Sequence, residues 1–276
     1  MKMKIGAVAL ALVAIVLGYD HGPSYYFEVE TLANHTLYQP LESALGSKLK
    51  LPIVVWGNGG CAPGMSENKI PGFPLMNIHS RSPIPRVAHD PNSPASNQNP
   101  GALTAAIDWV YANAGKGQWK HIDASRIGVW GTSCGGLESY TAGVDDSRVG
   151  HIGIFNSGQL NETASKAVAG AVRKPIFYLL GGPDDVAYPN GERDYTNLPS
   201  NTPAWKANHA LGHSAAFDAP NGGIPAIVGT HIMKWLLRGD VTARKWFTSE
   251  APKKIGITDI TYQNLDRVKV TPNQKH

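Results

Sequence analysis

Cysteine is almost absent from this chain of 276 residues, which holds two, Cys61 and Cys134. Two thiolates cannot close a metal cage, and no H-E-x-x-H pair is present, so the sequence predicts no metal site. Charge is sparse as well, at 17% of residues with a formal net charge of +4. Two of those positive charges are Lys2 and Lys4. The densest basic cluster, Arg244, Lys245, Lys253 and Lys254, is broken by Glu250 and Pro252 and reads as a solvated face. No basic stripe alternates with aromatics, which excludes a nucleic-acid footprint. There is no glycine loop ending in Lys-Ser or Lys-Thr to hold a nucleotide phosphate, no heptad pattern and no internal repeat. No cofactor is expected.

Long apolar runs are missing too, with one short exception at the N-terminus. Lys2 and Lys4 precede an unbroken apolar stretch over 5–17, followed by Gly18 and the polar Tyr19-Asp20-His21. That stretch falls short of the ~20 residues a membrane span needs and fits the apolar centre of a secretory signal. The expectation is a signal peptide over 1–18, cleavage after Gly18, and one domain over 19–276; an uncleaved membrane anchor is the alternative. The product is then secreted or periplasmic, without a stable membrane anchor once the signal is cleaved. In such a compartment the two cysteines are able to form a disulfide.

What is present suffices for a core: 42% of residues are hydrophobic, with seven Trp, ten Tyr and six Phe. Residues 51–56 (LPIVVW) form a continuous apolar run ending in Gly-Asn-Gly-Gly, the pattern of a strand buried on both faces. Residues 126–130, 149–155 and 175–180 repeat that pattern. Between them lie helical stretches: 102–114 carries Leu103, Ile107, Val110 and Tyr111 at helical spacing, and 224–237 ends near Gly239. Strands alternating with helices predict a mostly parallel sheet flanked by helices, an α/β domain. A further strand-like run covers 255–262.

Chemistry concentrates at Gly131-Thr132-Ser133-Cys134-Gly135-Gly136, directly after a buried strand and before a helix-compatible segment. A serine on so tight a turn needs glycines on either side, because side chains there would collide. The turn leaves the hydroxyl exposed at the strand's end. Ser133 is the candidate nucleophile. It needs a histidine to take its proton and a carboxylate to orient that histidine. Strand 175–180 runs into Asp184 and Asp185, two candidates for the acid. Of the downstream histidines, His213 in Leu211-Gly212-His213-Ser214 is assigned as general base. His209 lies within the preceding strand-like stretch, His231 is on the apolar face of the last long helix, and His276 is terminal.

With these pieces in place, the chain resembles the α/β-hydrolase superfamily, in particular secreted serine esterases of the dienelactone-hydrolase and cutinase-like type. The matching segments are VVWGNGGC at 54–61, GTSCGG at 131–136, GGPDDVAYPNGERDY at 181–195 and LGHSAAF at 211–217. The resemblance selects Asp185 over Asp184 as the acid. It also implies an oxyanion hole made by the backbone N–H groups of Cys134 and Gly60, with Asn58 standing where the family usually has His. By their motif positions, Trp56, Tyr188 and Phe217 are expected beside the substrate.

One stretch departs from the family, which places a helix and a further parallel strand between the Gly60 loop and the helix at 102. Here 62–100 holds Pro63, Pro71, Pro74, Pro83, Pro85, Pro91, Pro94 and Pro100. Proline removes a backbone donor and clashes inside helices, so an irregular segment is expected to replace both elements, with at most 73–78 pairing briefly with the sheet. If Gly60 and Cys134 aim at one oxygen, Cys61 comes close to Cys134, and a disulfide between them is expected, with two reduced thiols packed side by side as the alternative. The implied activity is cleavage of small or polymeric carboxylic esters through a Ser-His-Asp triad. A peptidase, thioesterase or lactonase on the same scaffold is the alternative, as is an inactive secreted binding protein.

Overall fold

The computed structural model describes residues 24–28, 31–32, 35–40, 50–59, 86–89, 101–219 and 222–270. The expected signal segment 1–18, Gly60, Cys61 and the run 73–78 lie outside the described residues.

Among the described residues, nine strands form one sheet: β1 (Ser24–Glu28), β2 (His35–Pro40), β3 (Leu51–Gly57), β4 (Arg86–His89), β5 (Ile122–Thr132), β6 (Val149–Phe155), β7 (Ile176–Leu180), β8 (Ala204–His209) and β9 (Ile257–Gln263). Their order across the sheet is β1-β2-β4-β3-β5-β6-β7-β8-β9. The six from β4 to β8 run parallel. β1 and β2 extend one edge antiparallel, and β9 closes the other edge antiparallel to β8. This is an α/β fold with a mostly parallel central sheet flanked by helices.

Among the described residues, seven α-helices cover the two faces. They are α1 (Ala102–Asn113), α2 (Cys134–Gly143), α3 (Glu162–Val168), α4 (Tyr188–Asn197), α5 (Ala215–Asp218), α6 (Gly223–Ile232) and α7 (Val241–Phe247). Strand alternation divides the core. In β3, Ile53 and Val55 pack with Leu103, Ile107 and Val110 of α1, whereas Val54 and Trp56 point to the opposite face. In β7, Phe177 and Leu179 join that second face with Ile232, Trp235 and Phe247, while Ile176, Tyr178 and Leu180 face Tyr140 of α2. Because both faces are covered, these strands read as unbroken apolar runs in the sequence. Burying one such Leu, Ile or Phe side chain contributes about 1.5–3 kcal/mol.

Three expectations need correction. Residues 62–100 do contain a regular strand: β4 pairs parallel with β3, Val54 opposite Arg86 and Trp56 opposite Ala88. Its four residues, Arg-Val-Ala-His, lie between Pro85 and Pro91, so every one of them has an amide to offer the ladder. Tyr111, expected on the buried stripe of α1, is 48% exposed, with the Arg148 guanidinium 5.2 Å above its ring. The other long helical stretch divides in two. After α6 the backbone widens into a π-helical turn (Met233–Leu237), where the Arg238 amide donates five residues back to Met233 O at 3.0 Å. No helix among the described residues is long and apolar enough to cross a membrane.

Candidate functional site

Four consecutive parallel strands, β5 to β8, each end in a loop that brings one polar group to the same edge of the sheet. Carboxyl ends of parallel strands are where α/β proteins place ligands, because the flanking helices leave that edge open.

The first group is Ser133, wedged between β5 and α2. Its backbone sits at φ 52°, ψ −123°, outside the allowed regions for residues with a Cβ. Its neighbours explain how that conformation is held. A Cβ on Gly131 would lie 2.1 Å from Gly135 O, and one on Gly135 would lie 2.0 Å from Gly57 O. The glycines therefore let α2 press against the ends of β3 and β5. The Ser133 amide donates to Phe155 O at 3.1 Å, and its carbonyl accepts from Gly136 N at 2.9 Å and Ser157 Oγ at 2.5 Å. With its backbone so fixed, the serine presents its side chain at the strand's end, as the glycine pattern implied.

The second group is Asp185, in the loop between β7 and α4. Its side chain is fully buried, and three donors converge on it. Oδ1 accepts from His213 Nδ1 at 2.5 Å and from Ala187 N at 2.8 Å, and Oδ2 accepts from Gly181 N at 3.1 Å. Burial opposes ionisation here, but the His213 hydrogen bond and the two amides outweigh it and hold the carboxyl below the usual carboxylate range. Asp184 is exposed.

The third group is His213, in the turn between β8 and α5. Its Nδ1 donates to Asp185, which leaves Nε2 as the acceptor for the Ser133 hydroxyl at 3.0 Å. Three residues far apart in sequence thus form one hydrogen-bonded line, with 31% of the histidine side chain open to solvent.

Comparison with protein-family models and with curated proteins returns no match for this chain. What can be said of the site therefore rests on its own geometry.

The remaining expected residues fall as follows. Cys134 is the first residue of α2, directly after the nucleophile candidate. Gly60 lies outside the described residues, but Gly57 and Asn58 at the end of β3 touch the start of α2 at Gly135. Trp56 and Phe217 are 2% and 3% exposed and pack edge-on at 6.5 Å, inside the core cluster under the site. The Trp56 indole donates to Asn58 Oδ1 at 3.1 Å. Tyr188, at the start of α4, is half-buried. Among the described residues no three His, Cys, Asp or Glu side chains converge as metal ligands would.

Two residues that the sequence reading did not place in the site stand directly behind it. Asn156 directly follows β6, with φ 44° and no solvent exposure, and its Nδ2 donates to Gly212 O at 3.1 Å and His213 O at 2.5 Å. His209, also fully buried, contacts Asn156 Oδ1 through Nε2 at 3.2 Å. An asparagine closing a strand reads as an ordinary turn, so the pattern held no signal for either role.

Titration of the buried groups gives a testable pH dependence. Burial pushes the imidazoles down, His151 to about 3 and His209 and His231 to about 4. The Lys174 charge adds to this at His151. The Asp185 carboxylate opposes it at His209, and at His231 Lys234 adds while Asp240 opposes. Between about 4 and their ordinary 6.5, these three bind fewer protons folded than unfolded. Acidification through that window therefore favours unfolding. Glu138, raised to about 7 by burial, works in the opposite direction, as does Asp194 to a smaller degree. Three imidazoles against mainly one carboxyl leave a net uptake of protons on unfolding. Urea titrations at pH 6.5 and pH 5 should show stability falling on acidification, by on the order of 1–2 kcal/mol per pH unit. A midpoint that holds or rises would show that these groups are not buried as described.

Proposed function

We propose that this protein is a secreted serine hydrolase of the α/β-hydrolase fold that cleaves carboxylic esters through an acyl-enzyme intermediate. The observation that carries the reading is the line Ser133 Oγ to His213 Nε2 at 3.0 Å and His213 Nδ1 to the buried Asp185 at 2.5 Å, with the serine held at φ 52°. The position of β4, parallel beside β3 where the resemblance expects a strand, supports the fold assignment.

In this reading the Ser133 hydroxyl proton passes to His213 Nε2 as Oγ bonds to the substrate carbonyl carbon. The oxyanion that forms is held by the Cys134 and Gly60 amides, a pair in which losing one donor typically costs about 2.7–4 kcal/mol of barrier. Nε2 then returns the proton to the departing alkoxide as the C–O bond breaks. Water then bonds to the acyl carbon as its proton passes to Nε2, the bond from that carbon to Ser133 Oγ breaks, and Nε2 returns the proton to Oγ, releasing the carboxylic acid. Asp185 stays ionised throughout and stabilises the imidazolium. Of the three aromatics expected beside the substrate, only the half-buried Tyr188 has surface to offer it, since Trp56 and Phe217 are packed into the core beneath the site.

The test is a panel of chromogenic esters of rising acyl length, run beside an anilide and a lactone. Turnover of open-chain esters that disappears in Ser133→Ala carries the proposal. Selective amide or lactone turnover reassigns the reaction class, and no turnover of any member by the wild type ends the reading.

The proposal includes a Cys61–Cys134 bridge that ties the two oxyanion donors together. It would close a loop of roughly 70 residues, for which chain entropy gives about 4 kcal/mol. Intact mass after denaturation and alkylation without reductant should show no adduct, and two adducts only after reduction. Two adducts without reductant would refute the bridge.

A further inference from the structure

We propose that Asn156 and His209 are positioning residues that set the His213 turn for acyl transfer, an inference that rests on the ester-hydrolysis reading above. His213 stands on a short turn, residues 211–214, with part of its ring in solvent. The Asp185 hydrogen bond orients the ring but does not by itself fix the backbone that carries it. One side of that backbone is tied to the acid loop, where Gly212 N donates to Gly181 O at 3.0 Å. The other side is held by Asn156, whose Nδ2 reaches two successive carbonyls, those of Gly212 and His213.

The orientation of this amide follows from its partners. Carbonyl oxygens only accept, so the atom facing both of them is the nitrogen, and Oδ1 faces His209 Nε2. That nitrogen must then carry the proton. His209 Nδ1 is left bare and accepts from Leu211 N at 3.3 Å, the first amide of the same turn. Each donor thus meets an acceptor without any tautomer being assumed.

Asn156 and His209 are themselves firmly anchored. The Asn156 amide donates to Leu179 O of β7 at 2.8 Å, and His209 ends β8 opposite Ile257 of β9. Burial keeps His209 neutral under the conditions in which esters are assayed. The turn bearing the general base is therefore fastened to three strands at once. Proton transfer is sensitive to such placement, since an error of about 1 Å costs on the order of 10²-fold in rate.

The experiment compares full-length wild type with Asn156→Ala, Asn156→Asp, His209→Gln and His209→Leu. The readouts are kcat and KM for one chromogenic ester, the rate of covalent labelling by a fluorophosphonate, and the downfield proton resonance of the His213 Nδ1–H. Asn156→Asp keeps the shape and loses the donors, so it should behave like Asn156→Ala. Both should lower kcat and the labelling rate about 10- to 100-fold, leave KM within about threefold, and shift or broaden the proton resonance. His209→Gln retains a donor for Asn156 and should keep more activity than His209→Leu. If the Asn156 variants do not accumulate as folded protein, the two His209 variants decide by this order.

Folded variants with wild-type kcat, labelling and resonance overturn the inference, as does a loss confined to KM. A wild type that neither turns over esters nor labels at Ser133 removes the ester-hydrolase reading itself. Ser133-dependent labelling that these variants leave unchanged removes only the positioning role.

Discussion

Replacing Ser133 by alanine is expected to abolish covalent labelling by a fluorophosphonate and to lower ester turnover by roughly 10⁵- to 10⁶-fold, the scale set by removing the nucleophile of a serine hydrolase. Phosphorus is attacked at a useful rate only by a serine whose proton has somewhere to go. Here the acceptor is His213 Nε2, 3.0 Å from Oγ. His213→Ala should therefore lose labelling as well, although its serine remains. The fold should survive the serine change, since alanine keeps the Cβ and removes only the hydroxyl. The backbone constraints at this position come from Phe155 O, Gly136 N and Ser157 Oγ, none of which involves Oγ of Ser133. Mass spectrometry of the labelled wild-type protein should place the adduct on the peptide containing Ser133. Labelling of Ser133→Ala at the wild-type rate would overturn the nucleophile assignment.

Asp185→Asn is expected to lower kcat by about 10⁴-fold, whereas Asp184→Asn should change it by less than about threefold. The two residues are adjacent, but their surroundings differ. Asp185 is buried and receives His213 Nδ1 together with the amides of Ala187 and Gly181, while Asp184 faces solvent. An asparagine at 185 can turn its oxygen toward only some of these donors. With its NH₂ group toward the ring, it favours the tautomer that protonates Nε2, and such a histidine cannot accept the serine proton. Steady-state kinetics on one ester decide between the two positions. If Asp184→Asn is the more damaging, the acid is off by one residue.

Much of the fold and of the site follows from local patterns along the chain. Strands β3, β6 and β7 were legible because parallel strands covered on both faces are largely apolar, as 51–56 and 175–180 are, and 149–155 apart from the buried His151. The turn at 131–136 was legible because only glycine allows α2 to press on β3 and β5 at the distances found here. The order serine, carboxylate, histidine could be read along the chain, and so could the loops that hold them. What lay beyond the pattern was whatever depends on a partner remote in sequence. β4 was hidden among prolines, since a four-residue strand is stabilised by Val54 and Trp56 across the ladder rather than by any local preference. Without the resemblance, Asp184 and Asp185 looked alike; burial against the His213 turn, 28 residues away, separates them. Asn156 and His209 carried no signal at all. Their roles exist only because neighbouring parallel strands end at one edge, where an amide from one loop can reach the carbonyls of another. Local sequence governs which residues can turn or extend, but hydrogen bonds between strand ends arise only once the sheet has assembled.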